Sequence, residues 1–451
     1  MTLEEIWKEY EAFAPTSKKQ HEEAVKVIPG GVAANIKYFD PFPLHMKGGN
    51  GPWLYDVDGH KYVDYLASYG PLILGHGYPE VKEAMMKQIE NGAILYGTPH
   101  ALEAKMAEKI KELYPSIEML RYTNSGTEAT LFSLRMAYAY TGKYKIGKFE
   151  GHYHGGYNQV LLSVNSAKGD VRRPEPIPES LGLEPFQKEN TIILPFNDLE
   201  ATTAILEEHQ DEMAAVIMEP VLTGYCPATQ EFMDGLREVT KRLGILLIFD
   251  EVKTGFRVSL GGAQGYYHIK PDLTCLGKVL GAGLPMGVVG GRKDILMKAA
   301  PLSGSDVFDA SNSKRSSAAD VLFHSGTYNG HPLILTAGLA TIGVLEKKFD
   351  YIVGQTDKLR AGLEEIFKEK GIPMQTVGVG TVFNILLTDV KIEKFRDIQT
   401  SDFATRKKID YLLLMEGIYN KPTNRYSVSA VHDDNILDFT FEAYRKAMKK
   451  L

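Results

Sequence analysis

The sequence predicts an α/β fold with a mostly parallel central sheet and a smaller α+β domain. Three observations carry that expectation. Apolar runs ending in turn residues alternate with helical patterns: "AAVIMEP" at 214–220, then "EFMDGLREVTKRLG", then "ILLIFDE" at 245–251. That strand, helix, strand rhythm builds a parallel sheet covered by helices. At 451 residues the chain exceeds one typical core, so a large domain and at least one smaller one are expected. With 44% hydrophobic and 24% charged residues the composition is that of a folded globular protein, which argues against disorder and against a coiled coil.

Taken in order, residues 1–60 read as an opening helix, a turn-rich "PGG" at 29–31 and a short hairpin closed by Asp58-Gly59, together an N-terminal segment packing on the small domain. Residues 61–334 carry the alternating pattern and form the large ligand-binding α/β domain. Its Ser-rich stretch "PLSGSDVFDASNSKRSSAADV", 301–321, reads as a mobile surface loop. Residues 335–451 open on a long helical pattern, pass through the strand "TVFNILLTD" and end helically in "AYRKAMKKL", a C-terminal α+β domain. No tandem repeat is visible.

Charge and composition narrow the function. Lys plus Arg number 51 and Asp plus Glu 57, a formal net charge of -6, so nothing draws the chain broadly to nucleic acid or to an anionic membrane. Two cysteines, Cys226 and Cys275, are too few for a disulfide framework or a Cys-based zinc site. The N-terminal stretch has no apolar signal region, and no run approaches the roughly 18 to 20 apolar residues of a membrane span. A cytoplasmic enzyme acting on small molecules is expected.

Three segments then stand out. In "RYTNSGTEATLFSLRMAYAYTG", 121–142, Ser125, Gly126 and Thr127 join a strand to a helix, where free N–H groups and a glycine suit a phosphate. An ordinary Ser/Thr cap is the plainer reading. "ILLIFDEVKTGFR" sets Asp250 and Glu251 at the carboxyl end of an apolar strand, where parallel sheets build ligand sites. A nucleotide-hydrolysing site would need a phosphate loop. "GKYKIGKF" at 142–149 fits the spacing, but Phe149 takes the Ser/Thr position. The third segment, "TCLGKVLGAGLP", isolates Lys278 among apolar residues, as a snorkelling surface lysine or a reactive amine.

Pyridoxal 5'-phosphate unites the three. It needs a lysine for a Schiff base, a carboxylate to keep its ring nitrogen protonated, and a phosphate cup. Lys278, Asp250 and Ser125-Gly126-Thr127 supply them. Within "FEGHYHGGYN", Tyr153 is placed to stack on a planar cofactor. The competing metal site from His152 and His154 lacks further ligands, so no metal is expected. Thr327, in the Gly/Ser/Thr turn "FHSGTYNGHP", is either a further phosphate donor or part of a simple turn.

The segments "PGGV", "NSGTEA", "FEGHYHG", "MEPV", "LLIFDEVKTGFRV", "GAQGYY", "PDLTCLGKVLGAGLPMGVVGGR" and "SGTYNGHPL" together resemble the class III, ornithine-aminotransferase-like branch of the fold-type I PLP-dependent transferases. Within that branch the chain looks most similar to the glutamate-1-semialdehyde 2,1-aminomutases. The resemblance covers nearly the whole chain. It implies a homodimer with active sites at the subunit interface, Lys278 as Schiff-base lysine and Asp250 on the pyridine nitrogen. It also implies Tyr153 and Val252 on opposite faces of the ring, and Ser125, Gly126 and Thr127 on the phosphate, joined by Thr327 from the partner subunit.

Two departures bear on the substrate. The aminomutases read "PGGVNSPVRAF", with an arginine on the substrate carboxylate; here "PGGVAANIKYF" puts Lys37 there, a point charge without the planar fork. Their C-terminal "GVYLAPSxFEAGFLSxAH" becomes "GIYNKPTNRYSVSAVH", which loses the acidic residue and introduces Arg425 as a carboxylate partner from another direction. The leading expectation is an aminotransferase exchanging nitrogen between an amino donor and an oxo acceptor. The aminomutase, a racemase or epimerase on the same scaffold, and a non-catalytic regulator are the alternatives.

Overall fold

The computed structural model of the chain describes residues 1–92, 95–301 and 321–451. The loop expected at 301–321 therefore lies outside the described residues except for its two ends. The chain divides into two compact units, one of Met1–Lys82, Leu345–Ile392 and Asp397–Leu451, the other of Glu83–Val344 and Glu393–Arg396. The sequence places divisions after residues 60 and 334. The compact units change over after Lys82 and Val344, the second point lying within a 38-residue helix, Pro332–Glu369.

The larger unit is built on seven strands: β1 (Met119–Thr123), β2 (Lys145–Phe149), β3 (Thr191–Leu194), β4 (Met213–Met218), β5 (Leu246–Asp250), β6 (Leu273–Gly277) and β7 (Gly287–Gly291). Their order is β1-β7-β6-β5-β4-β2-β3. All neighbours are parallel except β7, which runs against both β6 and β1. Two reversals cancel, so β1 points the same way as the parallel strands. The carboxyl ends of β1 to β6 and the amino end of β7 consequently share one edge.

Every residue of β4, β5, β6 and β7 is buried. A strand covered on both faces must be apolar throughout, which is why "MAAVIM" shows no alternation. Helix α1 (Gly126–Thr141) covers one face, with Ala129, Phe132, Met136 and Ala137 in one core with Ile248, Cys275 and Val289. Burying each large side chain there contributes on the order of 1.5–3 kcal/mol. Glycines fix the closest approaches: a Cβ on Gly287 would lie 2.2 Å from the Ser125 carbonyl oxygen.

In the smaller unit, Trp53–Asp56 and Lys61–Asp64 pair antiparallel around the expected Asp58-Gly59 turn, and Ile418–Tyr419 adds in parallel. Asp58 also accepts the Thr16 N–H (2.6 Å) and the Ser17 N–H (2.9 Å), capping the helix Pro15–Val25. The opening helix is thus two helices, Leu3–Phe13 and Pro15–Val25, because Pro15 lacks an N–H to continue the first. A second sheet joins Gln375–Val379, Val382–Leu386 and Tyr426–Ser427. Among the described residues no helix is long and apolar enough to cross a membrane.

Candidate active site

Only Asn124 and Ser125 separate β1 from α1, so the first turn of the helix opens at the shared sheet edge. Ser125 Oγ accepts the Glu128 N–H (3.1 Å), and the Glu128 carboxylate accepts the Asn124 N–H (2.7 Å). This reciprocal cap leaves the Gly126 and Thr127 N–H groups, the first of a 16-residue helix, without acceptors among the described residues. Both conditions for holding an anion are met. A Cβ on Gly126 would lie 2.6 Å from Val252 Cγ1, and one on Gly155 2.8 Å from Thr127 Oγ1. Glycine therefore lets the turn close on Val252 from one side and on the 150–156 loop from the other.

Asp250 ends β5 and is buried. Its Oδ1 accepts the Val252 N–H (3.1 Å) and its Oδ2 meets His154 Nδ1 at 2.8 Å. A carboxylate removed from water is costly unless paired, and the buried imidazole supplies the pairing. His154 is tied in turn to α1, since Thr130 Oγ1 donates to its carbonyl (2.5 Å), while its Nε2 is buried with no hydrogen-bond partner among the described residues. His152 accepts the Glu219 N–H on Nδ1 (3.0 Å). Burial, reinforced by His154, Lys148 and Lys253, holds its pKa well below the usual value, so this ring is neutral. The two histidines serve different partners, and no cluster of three metal-ligating side chains forms among the described residues.

Tyr153 lies between them. Its N–H donates to Glu219 Oε2 (2.8 Å), and Lys253 Nζ donates to Glu219 Oε1 (2.5 Å) while standing 5.4 Å from the centre of the Tyr153 ring. Glu219 is closed to solvent and Lys253 partly so, and their ion pair anchors the backbone of a residue that is itself 43% exposed. Burial pushes the Tyr153 phenol up, with Asp250 and Glu219 adding to it. The phenol stays protonated at neutral pH.

Lys278 is the first residue after β6 and adopts φ +47° at the head of the turn Lys278–Gly281. A left-handed conformation in a residue with a Cβ costs roughly 1–2 kcal/mol and persists only where the surroundings impose it. Gly277, opposite Gly287, is the preceding residue: a Cβ there would be 3.4 Å from Val252 Cγ1 and 3.7 Å from Gly126 Cα. One edge thus brings together Ser125, Gly126, Thr127, Tyr153, Asp250, Val252 and Lys278. Thr327 is exposed in a turn that precedes the helix Pro332–Glu369, and no hydrogen bond joins it to the Ser125 turn. Lys37 and Arg425 belong to the smaller unit. Lys37 lines a cavity of about 510 Å³, and Arg425 Nη2 donates to the Tyr69 carbonyl (3.3 Å).

The disfavoured phosphate loop and the second carboxylate of the Asp-Glu pair both take structural places. Lys148, the lysine of the phosphate-loop spacing, is in mid-strand, fully buried, with Nζ donating to the Leu162 carbonyl (2.5 Å), so "GKYKIGKF" cradles no phosphate. Glu251 is structural: it accepts the N–H groups of Ala263 (2.5 Å) and Gln264 (3.0 Å) and the Thr254 hydroxyl (2.9 Å), while burial raises its pKa. The sequence reading missed His154 as the partner of Asp250, and the Glu219–Lys253 pair, although "FEGHYHG", "MEPV" and "LLIFDEVKTGFRV" contain the residues.

Pyridoxal phosphate fits this edge. It meets unsatisfied helical N–H groups, an oriented carboxylate, a lysine in a strained turn and a half-exposed aromatic ring with an anchored backbone.

The family described as aminotransferase class-III matches residues 36–431. A glutamate-1-semialdehyde 2,1-aminomutase of Methanopyrus kandleri is 39% identical over 450 residues, covering 98% of this chain and 99% of that one. Among solved structures, an omega-transaminase from Sphaerobacter thermophilus superimposes with a TM-score of 0.88 at 33% identity, covering 96% of this chain and 97% of its own. A beta-phenylalanine aminotransferase from Variovorax paradoxus gives 0.84 at 30% identity, over 99% and 97%.

Proposed function

The chain belongs to the class III aminotransferases, PLP-dependent enzymes, and from that premise we propose that it moves an amino group from an amino acid or amine, one bearing a carboxylate or other anion away from the reacting nitrogen, to an oxo acid or aldehyde. The observation that carries this reading is Asp250, held by His154 and the Val252 N–H on the same strand edge as Lys278 and the open N–H groups of α1. When bound, the cofactor supplies a protonated aromatic ring that accepts the electron pair left as the substrate carbon loses its proton.

The chain's own residues do the rest. Asp250 keeps a negative charge at the ring nitrogen, and His154 keeps that carboxylate oriented. The Lys278 amine would hold the cofactor and, once displaced by the substrate amine, carry the proton from the substrate carbon to the cofactor's C4′, the shift that leaves the amino nitrogen on the cofactor. Ser125, Gly126 and Thr127 hold the phosphate, Tyr153 and Val252 flank the ring, and Lys37 and Arg425 receive the substrate carboxylate. In this reading the protein is a cytoplasmic homodimer in which the partner subunit's Thr327 completes the phosphate site.

Purified protein loaded with cofactor and given L-alanine or L-glutamate is expected to release the oxo acid and accumulate pyridoxamine phosphate, and Lys278→Ala to lose this exchange. Failure of all common amino donors would sink the transaminase reading. A second reading, an aminomutase that returns nitrogen to a neighbouring carbon of the same molecule, is favoured by the name of the relative from Methanopyrus kandleri. Poor exchange with both donors, together with conversion of glutamate-1-semialdehyde, would establish it instead.

A further inference from the structure

The loop after β2 carries two buried histidines, and the hydrogen bonds around them fix which nitrogen of each ring holds a proton. In the order β5-β4-β2 this loop passes the carboxyl end of β4 to reach Asp250 on β5. Glu219, the residue after β4, clamps it there, with its N–H on His152 Nδ1 (3.0 Å) and its carboxylate on the Tyr153 N–H (2.8 Å). A backbone N–H can only donate, so His152 Nδ1 carries no proton. The ring is neutral and sealed from water, its centre 5.3 Å from that of Phe149 and 4.9 Å from that of Phe196. Its one proton is therefore on Nε2.

His154 is the converse case. Asp250 accepts, so His154 Nδ1 carries a proton, and its Nε2 is a bare acceptor in the neutral ring and a second donor in the charged one. Both Nε2 atoms are buried, and neither has a hydrogen-bond partner among the described residues. Buried polar atoms are nearly always satisfied, so an unused donor beside an unused acceptor points to a shared bridge. The ring centres are 5.9 Å apart and the planes are inclined by 54°. That separation exceeds the reach of a direct N–H···N bond and lies within the span of one water, which accepts from one ring and donates to the other.

The state of His154 decides what Asp250 can do. A charged imidazole would neutralise the carboxylate, whereas a neutral one orients it and leaves its charge for another cation. The remaining charged groups nearby are engaged elsewhere: Lys253 Nζ donates to Glu219, and Lys148 Nζ, from β2, donates to the Leu162 carbonyl.

We propose that His152 is a positioning residue: through one enclosed water its Nε2–H donates to His154 Nε2, holds that ring neutral, and so reserves the charge of Asp250 for the ring nitrogen of the cofactor. The proposal rests on the pyridoxal phosphate reading for its effect on the cofactor, while the two histidines can be read without it.

Nitrogen NMR of the full chain, labelled at the histidine rings and free of cofactor, tests the pair directly, with signals assigned by their loss in His152→Phe and His154→Asn. In the wild type His152 is expected to hold its proton on Nε2. In His152→Phe, which keeps an aromatic ring against Phe149 and Phe196, the ratio of doubly to singly protonated His154 should rise about tenfold, and His152→Gln, whose amide returns a donor, should restore it. A proton on His152 Nδ1 in the wild type, or an unchanged ratio in His152→Phe, overturns the proposal. In the cofactor-loaded protein a proton on His154 satisfies Asp250, the ring nitrogen loses its own, and the nitrogen joining the cofactor to Lys278 keeps its proton to higher pH. The pH midpoint of the visible absorbance should accordingly rise by about one unit in His152→Phe and return in His152→Gln. A merely structural residue would weaken cofactor binding without moving that midpoint, and a common midpoint in all three proteins overturns the proposal as well. If the protein takes up no cofactor, the pyridoxal phosphate reading has failed, and the NMR ratio still decides the role of His152.

Discussion

Asp250 is removed from water, yet its role requires it to stay ionised, and one N–H with one imidazole is the whole of its observed support. Removing that imidazole leaves a buried anion short of a donor, at a cost of about 1–3 kcal/mol or more. His154→Ala is therefore expected to bind pyridoxal phosphate about tenfold or more weakly, measured by titrating cofactor absorbance, with partial recovery in His154→Asn, whose amide can donate to Asp250. Unchanged affinity in both variants would remove His154 from the site. The residues legible in the sequence were those with a local signature: Lys278 among apolar neighbours, Asp250 after an apolar strand, Ser125-Gly126-Thr127 at a strand-to-helix junction. His154 was in plain view, but its meaning depends on a residue 96 positions away, a pairing that only the parallel register of β2, β4 and β5 creates. Glu219 and Lys253 escaped for the same reason.

At the level of elements, the apolar runs read correctly as strands because burial on both faces leaves no other pattern open to them. Termini read less well, since they are set by single residues: Pro15 divides the opening helix, and Pro332–Glu369 continues past the expected domain boundary. Strand β2 holds an exception to the apolar rule. Lys148, in the middle of "KIGKF", is wholly buried, and burial lowers its pKa to about 7 despite the opposing pull of Glu219, Glu179 and Glu150. Its unfolded value lies near 10.5. Between those values the unfolded chain binds the proton that the folded chain has released, so stability rises with pH across that window. The burden on the folded state is full below about pH 7 and is relieved as pH approaches 10.5. Replacing the charge by Lys148→Met should remove this slope, which is at most about 1.4 kcal/mol per pH unit. Urea unfolding of both proteins at pH 7, 8 and 9 checks it: the stability advantage of the variant should shrink as pH rises, and parallel profiles would refute the assignment.

For the molecule as a whole, the exposed position of Thr327 and the open N–H groups of Gly126 and Thr127 give the proposed homodimer a sharp consequence. If each phosphate cup borrows a threonine from the other subunit, the two halves of a site reside on different chains. A Lys278→Ala homodimer has no reactive amine in either site. A Thr327→Ala homodimer keeps its lysines but binds the phosphate more weakly. In a mixed dimer both defects fall in one site, and the other is assembled from the wild-type lysine of one chain and the wild-type threonine of its partner. Co-expressing the two variants under different affinity tags and isolating the mixed species should thus yield protein with about one intact site per dimer. At limiting cofactor its exchange with amino donors should exceed that of either parent. Were Thr327 to serve its own chain, mixing would place one defect in each site, and the mixed dimer would only average its parents. Sedimentation of the wild type fixes the premise, since a monomer retaining full exchange would dispose of shared sites altogether.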